Sequence, residues 1–234
     1  GDAGNLPGTA QTTNGTGSLN TINGALTAGD VDMYKITVCD SGAFTAILSG
    51  TISDTQIFLF DSNGKGVAMN DDTPVGTGLL SALAPAGAIS GLTNGTYYIA
   101  VSSYDNDPND SGALALWLDT PFNTVRAPDG PGAANPVASW DGAGSNAGTY
   151  SIALTGACYG GSTAASCYAN CDNSTNSPCL NVNDFVCFNN AFSAGSAYAN
   201  CDASTISPVL NVNDFVCFNN KFSAGCASPC APHP

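Results

Sequence analysis

The chain of 234 residues has no glutamate, one histidine and only four basic side chains. All eighteen acidic residues are aspartates, and the formal net charge is −14. A chain with so few cations has little to neutralise phosphates, which argues against nucleic-acid partners and against adsorption on anionic membranes. No apolar run is long enough to cross a bilayer, so we also expect no membrane insertion.

The scarcity of histidine limits catalysis as well. His233 lies next to the end of the sequence and no CxxC pair occurs, so a zinc site is not expected. Catalytic triads and general-base chemistry mostly need an internal histidine. A phosphate-binding glycine loop with lysine is absent, and nothing marks one aspartate as the acid of a glycosidase pair. We therefore expect no enzymatic activity.

The residues that are present favour short strands joined by turns over most of the chain. Stretches of alternating or β-branched and aromatic residues, separated by signals such as Asn94-Gly95, predict a β-sandwich rather than a helical fold. The predicted strands are 33–38, 43–48, 56–60, 66–69, 96–101, 114–118 and 150–154.

The first 29 residues are rich in Gly, Thr and Asn, with apolar anchors only at Leu19, Ile22 and Leu26. Such a segment is expected to be loosely attached unless something ties it down. It would then pair with the molecule's own sheet or lie against a neighbouring subunit.

Several short motifs within residues 1–157 are similar to one domain type. They are Asp2, Ala3 and Asn5, then 29–34 (GDVDMY), 57–61 with Gly64, 70–72 (NDD) and 95–101 (GTYYIAV). Their order resembles the bacterial pre-peptidase C-terminal domain, a jelly-roll-like sandwich attached to secreted proteins. The sequence departs from that pattern at 105–149, a long segment rich in Pro and Gly that is either a decorated loop or a contact surface.

The resemblance implies a calcium ion shared by the N-terminal acidic segment and the aspartates before the first core strand. The candidate ligands are Asp2, Asn5, Asp30 and Asp32, and the alternative is a solvated turn. Asp71 and Asp72 are adjacent, so on a strand they would point to opposite faces, which argues against a shared catalytic pair.

Near the C-terminus, residues 168–195 recur as 198–225 with a period of 30 and four differences. Near-identity over one such unit predicts two copies packed against each other. The sequence of each copy predicts a polar loop followed by a short helix. The helix begins near Asn181 or its counterpart, with Asn181 as N-cap. Val182, Phe185, Val186, Phe188 and Phe192 would form its apolar stripe, and glycine would end it.

The polar loop of each copy also has the oxygen spacing of a calcium loop, closed by a carboxylate at the start of the helix. The alternative is that the asparagine and aspartate at the helix start only cap it, and that disulfides alone hold the loop. The predicted ligands are Asn170, Asp172, Ser174, a carbonyl near Cys179, Asn181 and Asp184 in the first copy, and Asn200, Asp202, Ser204, a carbonyl near Val209, Asn211 and Asp214 in the second.

The LNVNDFVCF core of both copies resembles a dockerin-type tandem repeat, of the cysteine-bearing variety found at the C-termini of secreted proteins in planctomycete-like bacteria. The resemblance implies an EF-hand-like, calcium-binding repeat pair. From Asn170 to Asp184 the loop is three residues longer than in ordinary dockerins, it lacks the turn glycine, and it begins with Asn instead of Asp.

Ten cysteines without zinc spacing predict disulfides in an oxidising compartment. Repeat symmetry suggests the pairs Cys171–Cys187 and Cys201–Cys217. Cys167 and Cys226 flank the repeats and could join their ends. Cys39 and Cys158 each follow a predicted strand of the N-terminal region, so we expect them to pair. Cys179 and Cys230 are then partners, or each bonds a neighbouring molecule. The sequence alone leaves this connectivity open.

Together these features predict a mainly β protein with a sandwich at 1–158, a linker at 159–166 and the repeat pair with an extended tail at 167–234. We expect it to be secreted, with Gly1 the first residue after cleavage of a leader. The leading hypothesis is a calcium-binding structural or adhesive protein that polymerises head-to-tail with itself into a fibre or surface matrix. The alternative is an anchoring module that docks a cohesin-like receptor or a polysaccharide.

Overall fold

The computed structural model describes residues 2–15, 17–73, 78–160, 167–174 and 178–226. The chain divides into two compact units, Gly1–Ser162 and Thr163–Pro234. The fold is mainly β, with 31% strand and 13% helix. Most of the predicted linker, residues 161–166, and the tail from 227 lie outside the described residues.

All described strands belong to the first unit, and the helices belong to the second. The strands are β1 (Gln11–Thr12), β2 (Thr21–Leu26), β3 (Val31–Val38), β4 (Thr45–Gly50), β5 (Thr55–Asp61), β6 (Gly66–Asn70), β7 (Ala82–Leu83), β8 (Gly95–Ser103), β9 (Pro108–Asn109), β10 (Ser139–Trp140), β11 (Gly148–Thr155) and β12 (Ala157–Tyr159). The helices are α1 (Val182–Ser193), a 3₁₀ turn (Ala197–Ala199) and α2 (Val212–Ala224).

Two sheets share the core of the first unit. The larger sheet has the order β1-β3-β8-β5-β6, with β12 paired to β3, and the smaller has the order β2-β11-β4-β7. Alternate residues of both sheets, such as Ile36 and Ile99 from the larger and Ile152 from the smaller, enter one apolar cluster. The alternation follows from the two-residue period of a strand, which sends successive side chains to opposite faces.

The 105–149 segment, which we call the excursion, covers the other face of the larger sheet. Phe58 and Phe60 project from that face and contact Trp117 and Trp140, with ring centroids 5.3–6.3 Å apart. The predicted strand at 114–118 is wrong: Ala115 makes only an isolated bridge. Leu116 and Trp117 instead pack onto the sheet, at 0% and 2% exposed, whereas Leu114 and Leu118 remain exposed.

The other predicted strands are present, with shifts of up to two residues at their ends. The sequence missed the short strands, and it missed β2, because the first 29 residues were expected to be loosely attached. Glycine suits position 24, since a Cβ there would clash with the buried side chain of Tyr150.

The N-terminal segment pairs within its own chain. β1 lies parallel to β3, and β2 lies antiparallel to β11. The anchors Leu19, Ile22 and Leu26 are buried as expected. Of the two arrangements that the sequence allowed, pairing with the molecule's own sheets is therefore the one observed.

The two repeats of the second unit pack through symmetric aromatic pairs. Phe188 stacks on its counterpart Phe218 with ring centroids 4.2 Å apart, and Tyr168 stacks on Tyr198 at 4.7 Å. Two crossed pairs, Phe185–Phe222 and Phe192–Phe215, both have centroids 4.5 Å apart and planes at 50°. Equal contacts in both directions define a pseudo-two-fold interface.

The predicted helix starts are confirmed. Asn181 and Asn211 are N-caps, each with a capping box completed by an aspartate three residues on. The predicted apolar stripe is only partly right, because Val182 and Val186 are 71% and 53% exposed. The partner repeat covers the phenylalanine side of the helix and leaves the valine side open.

Four disulfides are complete within the described residues, and all four match the suggested pairs. They are Cys39–Cys158, Cys167–Cys226, Cys171–Cys187 and Cys201–Cys217. Cys179 is also disulfide-bonded; its suggested partner, Cys230, lies outside the described residues. Several disulfides in one chain are typical of an oxidising environment.

Replacing Phe188 with alanine should destabilise the second unit by about 3–5 kcal/mol, because it opens a cavity at the two-fold contact. Denaturant unfolding followed by circular dichroism at the helical wavelength would measure this, since the described helices belong to that unit. Val182→Ala in the same helix is the control and should change the free energy of unfolding by less than about 0.5 kcal/mol. Equal effects of the two substitutions would contradict the packing.

Candidate metal centres

The topology of the larger sheet gathers aspartates at one end. The N-terminal ends of β3 and β5 lie beside the C-terminal ends of β8 and β6, because these strands alternate in direction. Aspartates occur just outside each of these strand ends. Three groups result, each with carboxylate oxygens within 4.8 Å of one another: the N-terminal cluster (Asp2, Asp30, Asp32), the pocket cluster (Asp54, Asp71, Asp72) and the excursion cluster (Asp105, Asp107, Asp119).

The N-terminal cluster joins the first residues of the chain to the start of β3. Asp32 is 3% exposed, and its Oδ1 accepts a hydrogen bond from the Ala3 amide at 3.3 Å. Asp30 accepts bonds from its neighbours' amides, at 2.9 Å from Val31 and 3.4 Å from Thr27. The structure thus brings together the three aspartates that the sequence proposed as ligands.

A buried tyrosine pair connects this cluster to the other sheet. The Tyr150 hydroxyl donates to Asp32 Oδ2 at 2.6 Å and lies 2.8 Å from the hydroxyl of Tyr34. Burial raises the pKa of Asp32 above its ordinary value, although the bond from Tyr150 opposes the shift. Burial also raises the pKa of Tyr34 to about 12 and raises the pKa of Tyr150, so both hydroxyls stay protonated as donors.

For Asn5, the fourth ligand proposed for this site, the structure shows a backbone contact with the excursion. The Asn5 carbonyl accepts a hydrogen bond of 2.7 Å from the Trp140 indole, which ties the N-terminal segment to the excursion. The carboxylates of Asp2, Asp30 and Asp32 fit a hard cation in number and kind, since such ions take oxygen ligands.

The pocket cluster was not expected from the sequence. β6 ends at Asn70, so Asp71 and Asp72 lie on a bend and not on a strand, and the argument that they point to opposite faces is wrong. Both amides donate to the carbonyl of Phe122, at 3.3 and 3.1 Å. This shared acceptor holds the bend on which the two carboxylates converge.

The carboxyl of Asp71 is the most perturbed of the three. It is 2% exposed, and burial, with the charges of Asp72 and Asp54 added, raises its pKa to about 8. Burial and the charge of Asp72 likewise raise the pKa of Asp54. The three aspartates line a pocket of about 180 Å³ with Leu79, Tyr104 and Phe122.

The excursion cluster lies beside the pocket cluster, close enough for the charges of Asp107 and Asp105 to affect Asp71. Asp107 Oδ1 accepts a hydrogen bond of 3.0 Å from the amide of Gln56. Burial and the neighbouring Asp105 raise the pKa of Asp107 to about 7. Within the described ranges the one ion pair is Arg126–Asp129, so no basic side chain neutralises any of the three clusters.

In the repeats, the closing aspartates occupy a different setting. Asp184 is 0% exposed, and its Oδ2 and Oδ1 accept bonds from the amides of Asn181 and Asp172 at 2.8 and 3.3 Å. Burial raises its pKa above the ordinary value, against the effect of these bonds. The second copy repeats both bonds with the same lengths at Asp214, Asn211 and Asp202.

The remaining polar groups of the first loop form hydrogen bonds within the loop. Asn170 Oδ1 accepts from the Ser174 amide at 3.1 Å, and the Ser174 hydroxyl donates to the Cys179 carbonyl at 2.9 Å. The Asn181 oxygen caps the amide of Asn183 at 2.9 Å. The second copy makes the equivalent bonds through Asn200, Ser204, Val209, Asn211 and Asn213.

These bonds test how well calcium fits the repeat loops. Asn170, Asp172, Ser174 and Asp184 are brought together as proposed, and their oxygens are of the right kind. Each loop has only two carboxylates, however, and Asn181 and Asn211 serve as helix caps. Among the described residues, groups of three carboxylates occur only in the first unit, so that unit fits a divalent cation better.

Comparisons with protein-family models and with curated proteins find no match for the chain. None of the helices in the described ranges has the length and apolarity needed to span a membrane.

Replacing Asp107 with asparagine should flatten the pH dependence of stability in the chelator-treated protein. The pKa of this carboxyl is about 7 in the fold and about 3.9 in an unfolded chain, so the native state keeps a proton that the unfolded state releases. The resulting stabilisation is complete below about pH 4 and is lost as the pH rises through about 7. Melting temperatures between about pH 5 and about pH 8 should fall by several degrees, and by less in the variant.

Asp61→Asn is the matched control. The Asp61 Oδ1 accepts bonds from the amides of Asn63 and Lys65, which an asparagine oxygen can replace, and Asp61 lies outside the three clusters. The melting temperature of this variant should depend on pH as in the unchanged protein. If Asp107→Asn also shows that pH dependence, the Asp107 carboxyl does not hold a proton in the native state.

Proposed function

We propose that the chain is a secreted, non-catalytic, calcium-binding structural or adhesive protein that assembles with copies of itself. The observation that carries the proposal is the acidic end of the larger sheet, where three groups of three aspartates meet without a basic partner among the described residues. Close carboxylates repel one another, and a divalent cation relieves that repulsion while coordinating their oxygens.

Calcium at the N-terminal cluster would attach the first residues of the chain to the core. Asp2 and the pair Asp30–Asp32 come from segments nearly thirty residues apart, so an ion bound by all three would act as a cross-link. The resemblance to the pre-peptidase C-terminal domain and to dockerin-type repeats supports a calcium-dependent fold. In the repeats, Asn170, Asp172, Ser174 and Asp184 and their counterparts would hold the ion.

Two further features support a protein that works in an assembly outside the cell. The disulfides suit an oxidising compartment, and few charges other than aspartate oppose contact between copies once cations are bound. β2 forms an edge of the smaller sheet, with β11 on its other side. An open strand edge of this kind is a surface to which a strand of another copy can add, head-to-tail.

Electron microscopy of the purified chain with calcium and with chelator tests this function. We expect ordered polymers with calcium and their dissociation with chelator, and Asp30→Asn should raise the calcium concentration needed for assembly several-fold. Asp61→Asn, which removes one charge outside the clusters, should behave like the unchanged protein. Dispersed monomers under all conditions would overturn the assembly, and calorimetry without any heat of calcium binding would overturn the calcium sites.

A second function, anchoring to a receptor, is favoured by one observation in the repeats. Val182 and Val186 of α1 and their counterparts Val212 and Val216 of α2 are 71% and 53% exposed in both copies. Apolar residues exposed in the same way on two symmetric helices form duplicated surfaces suited to a protein partner. A dockerin-like pair would bind a cohesin-like receptor through either face.

Substitution of these valines by serine tests the anchoring function. Because the two faces carry the same residues, Val186→Ser or Val216→Ser alone should weaken retention of the full chain on an isolated cell-envelope fraction by no more than about two-fold. The double variant should lose retention. Equal retention of the double variant and the unchanged chain would contradict docking through the helices.

A further inference from the structure

We infer that the pocket cluster is a binding site for a hard divalent cation, separate from the repeat loops and from the N-terminal cluster. Asp54, Asp71 and Asp72 would supply the carboxylates. The inference does not depend on self-assembly or on the repeats, since its residues all belong to the first unit.

The first step is the state of the buried oxygens. Asp71 is 98% buried, and its Oδ1 is inaccessible to solvent and has no hydrogen-bond partner within the described part of the chain. Asp54 Oδ1 is in the same condition. A buried acceptor without a partner destabilises the folded state, and more so if it is charged. Two such oxygens in one cluster indicate a missing ligand that accepts electron pairs.

The second step is the position of the three carboxyl groups. Asp54, Asp71 and Asp72 line the same pocket. Each has one carboxylate oxygen within 4.8 Å of a carboxylate oxygen of the other two. Oxygens around an ion with bonds of 2.3–2.6 Å are up to about 5 Å apart. The spacing is therefore that of oxygens around a shared cation. Two carboxyl groups that share a proton would not bring a third carboxylate into the cluster.

The third step is how firmly the ligands are held. The bend at Asp71 and Asp72 is fixed by the Phe122 carbonyl, and Asn70 beside it donates from Nδ2 to the same oxygen at 3.2 Å. The backbone carbonyl of Asp54 accepts a bond of 3.4 Å from the Tyr104 amide. Bonds to Phe122 and Tyr104 thus hold both ligand-bearing segments before any ion binds, which lowers the cost of ordering the site.

The fourth step is the choice of ion. Three carboxylates without a neighbouring base favour a divalent charge, and an all-oxygen site favours hard cations such as calcium. The pocket of about 180 Å³ leaves room for the water molecules that would complete the coordination shell. The ring of Tyr104, whose centroid lies 6.1 Å from that of Phe122, shields one side.

Calcium titration of the full chain by calorimetry, comparing the unchanged protein with Asp71→Asn, tests the site. Asparagine keeps the shape of the side chain and removes its charge. The variant should bind one calcium ion fewer per chain, or bind it at least about ten-fold more weakly. In chelator it should be at least as stable as the unchanged protein, because the buried cluster then has one ionisable carboxyl fewer, and calcium should raise its melting temperature by less.

Two controls separate this site from the others. Asp61→Asn should bind calcium like the unchanged chain. Asp30→Asn, in the N-terminal cluster, should retain the calcium ion that Asp71→Asn loses, so failure of the proposed function and failure of this site give different results. If Asp71→Asn does not fold, Asp54→Asn and Asp72→Asn take its place. Unchanged stoichiometry and affinity in the folded pocket-cluster variants would overturn the inference.

Discussion

Repulsion between carboxylates at one end of the larger sheet is the constraint on which the first unit depends. Antiparallel neighbours bring the beginnings of β3 and β5 next to the ends of β8 and β6, and each of these strand ends is flanked by aspartate. Without basic partners, the charge must be reduced by protons or by cations. Burial, with the charges of Asp72 and Asp54 added, raises the pKa of Asp71 to about 8, so this carboxyl tends to keep its proton when no cation is bound. A bound cation would favour ionisation and would use the same carboxylates as ligands.

The second unit solves a different problem, because two short helices cannot bury much surface. Its core is a set of phenylalanine and tyrosine rings paired across a pseudo-two-fold axis. One disulfide within each repeat and one between Cys167 and Cys226 restrict the unfolded chain. Asp184 and Asp214 are satisfied by backbone amides, so the loops hold their shape through hydrogen bonds as well. A cation there would add to a structure that is already cross-linked, whereas in the first unit it would satisfy oxygens that lack partners.

Patterns that repeat or alternate locally were predictable from the sequence. The period of 30, the Asn181 cap and the strands around 56–60 and 96–101 express short-range rules, and the symmetry of the repeats suggested the disulfides Cys171–Cys187 and Cys201–Cys217. The pocket cluster was not predictable, because Asp54 meets Asp71 only through the order of strands in the sheet. The 114–118 segment has the composition of a strand, but it does not form one. Trp117 is buried because it packs against the outer face of the larger sheet. The exposure of Val186 depends on which side of its helix the second repeat covers, and helical periodicity alone does not specify that side.

The excursion links the acidic end of the sheet to the apolar packing on its outer face. Its Trp117 covers the phenylalanines of β5, while its Phe122 carbonyl fixes the bend of Asp71 and Asp72. The same segment contributes Asp107 to the excursion cluster, and its Trp140 bonds to the carbonyl of Asn5. A long irregular segment gains order from every such attachment, since each one reduces the conformations that remain. Cations at the acidic end would therefore stabilise more than their ligands: they would hold the cover of the sheet and the N-terminal segment in place together.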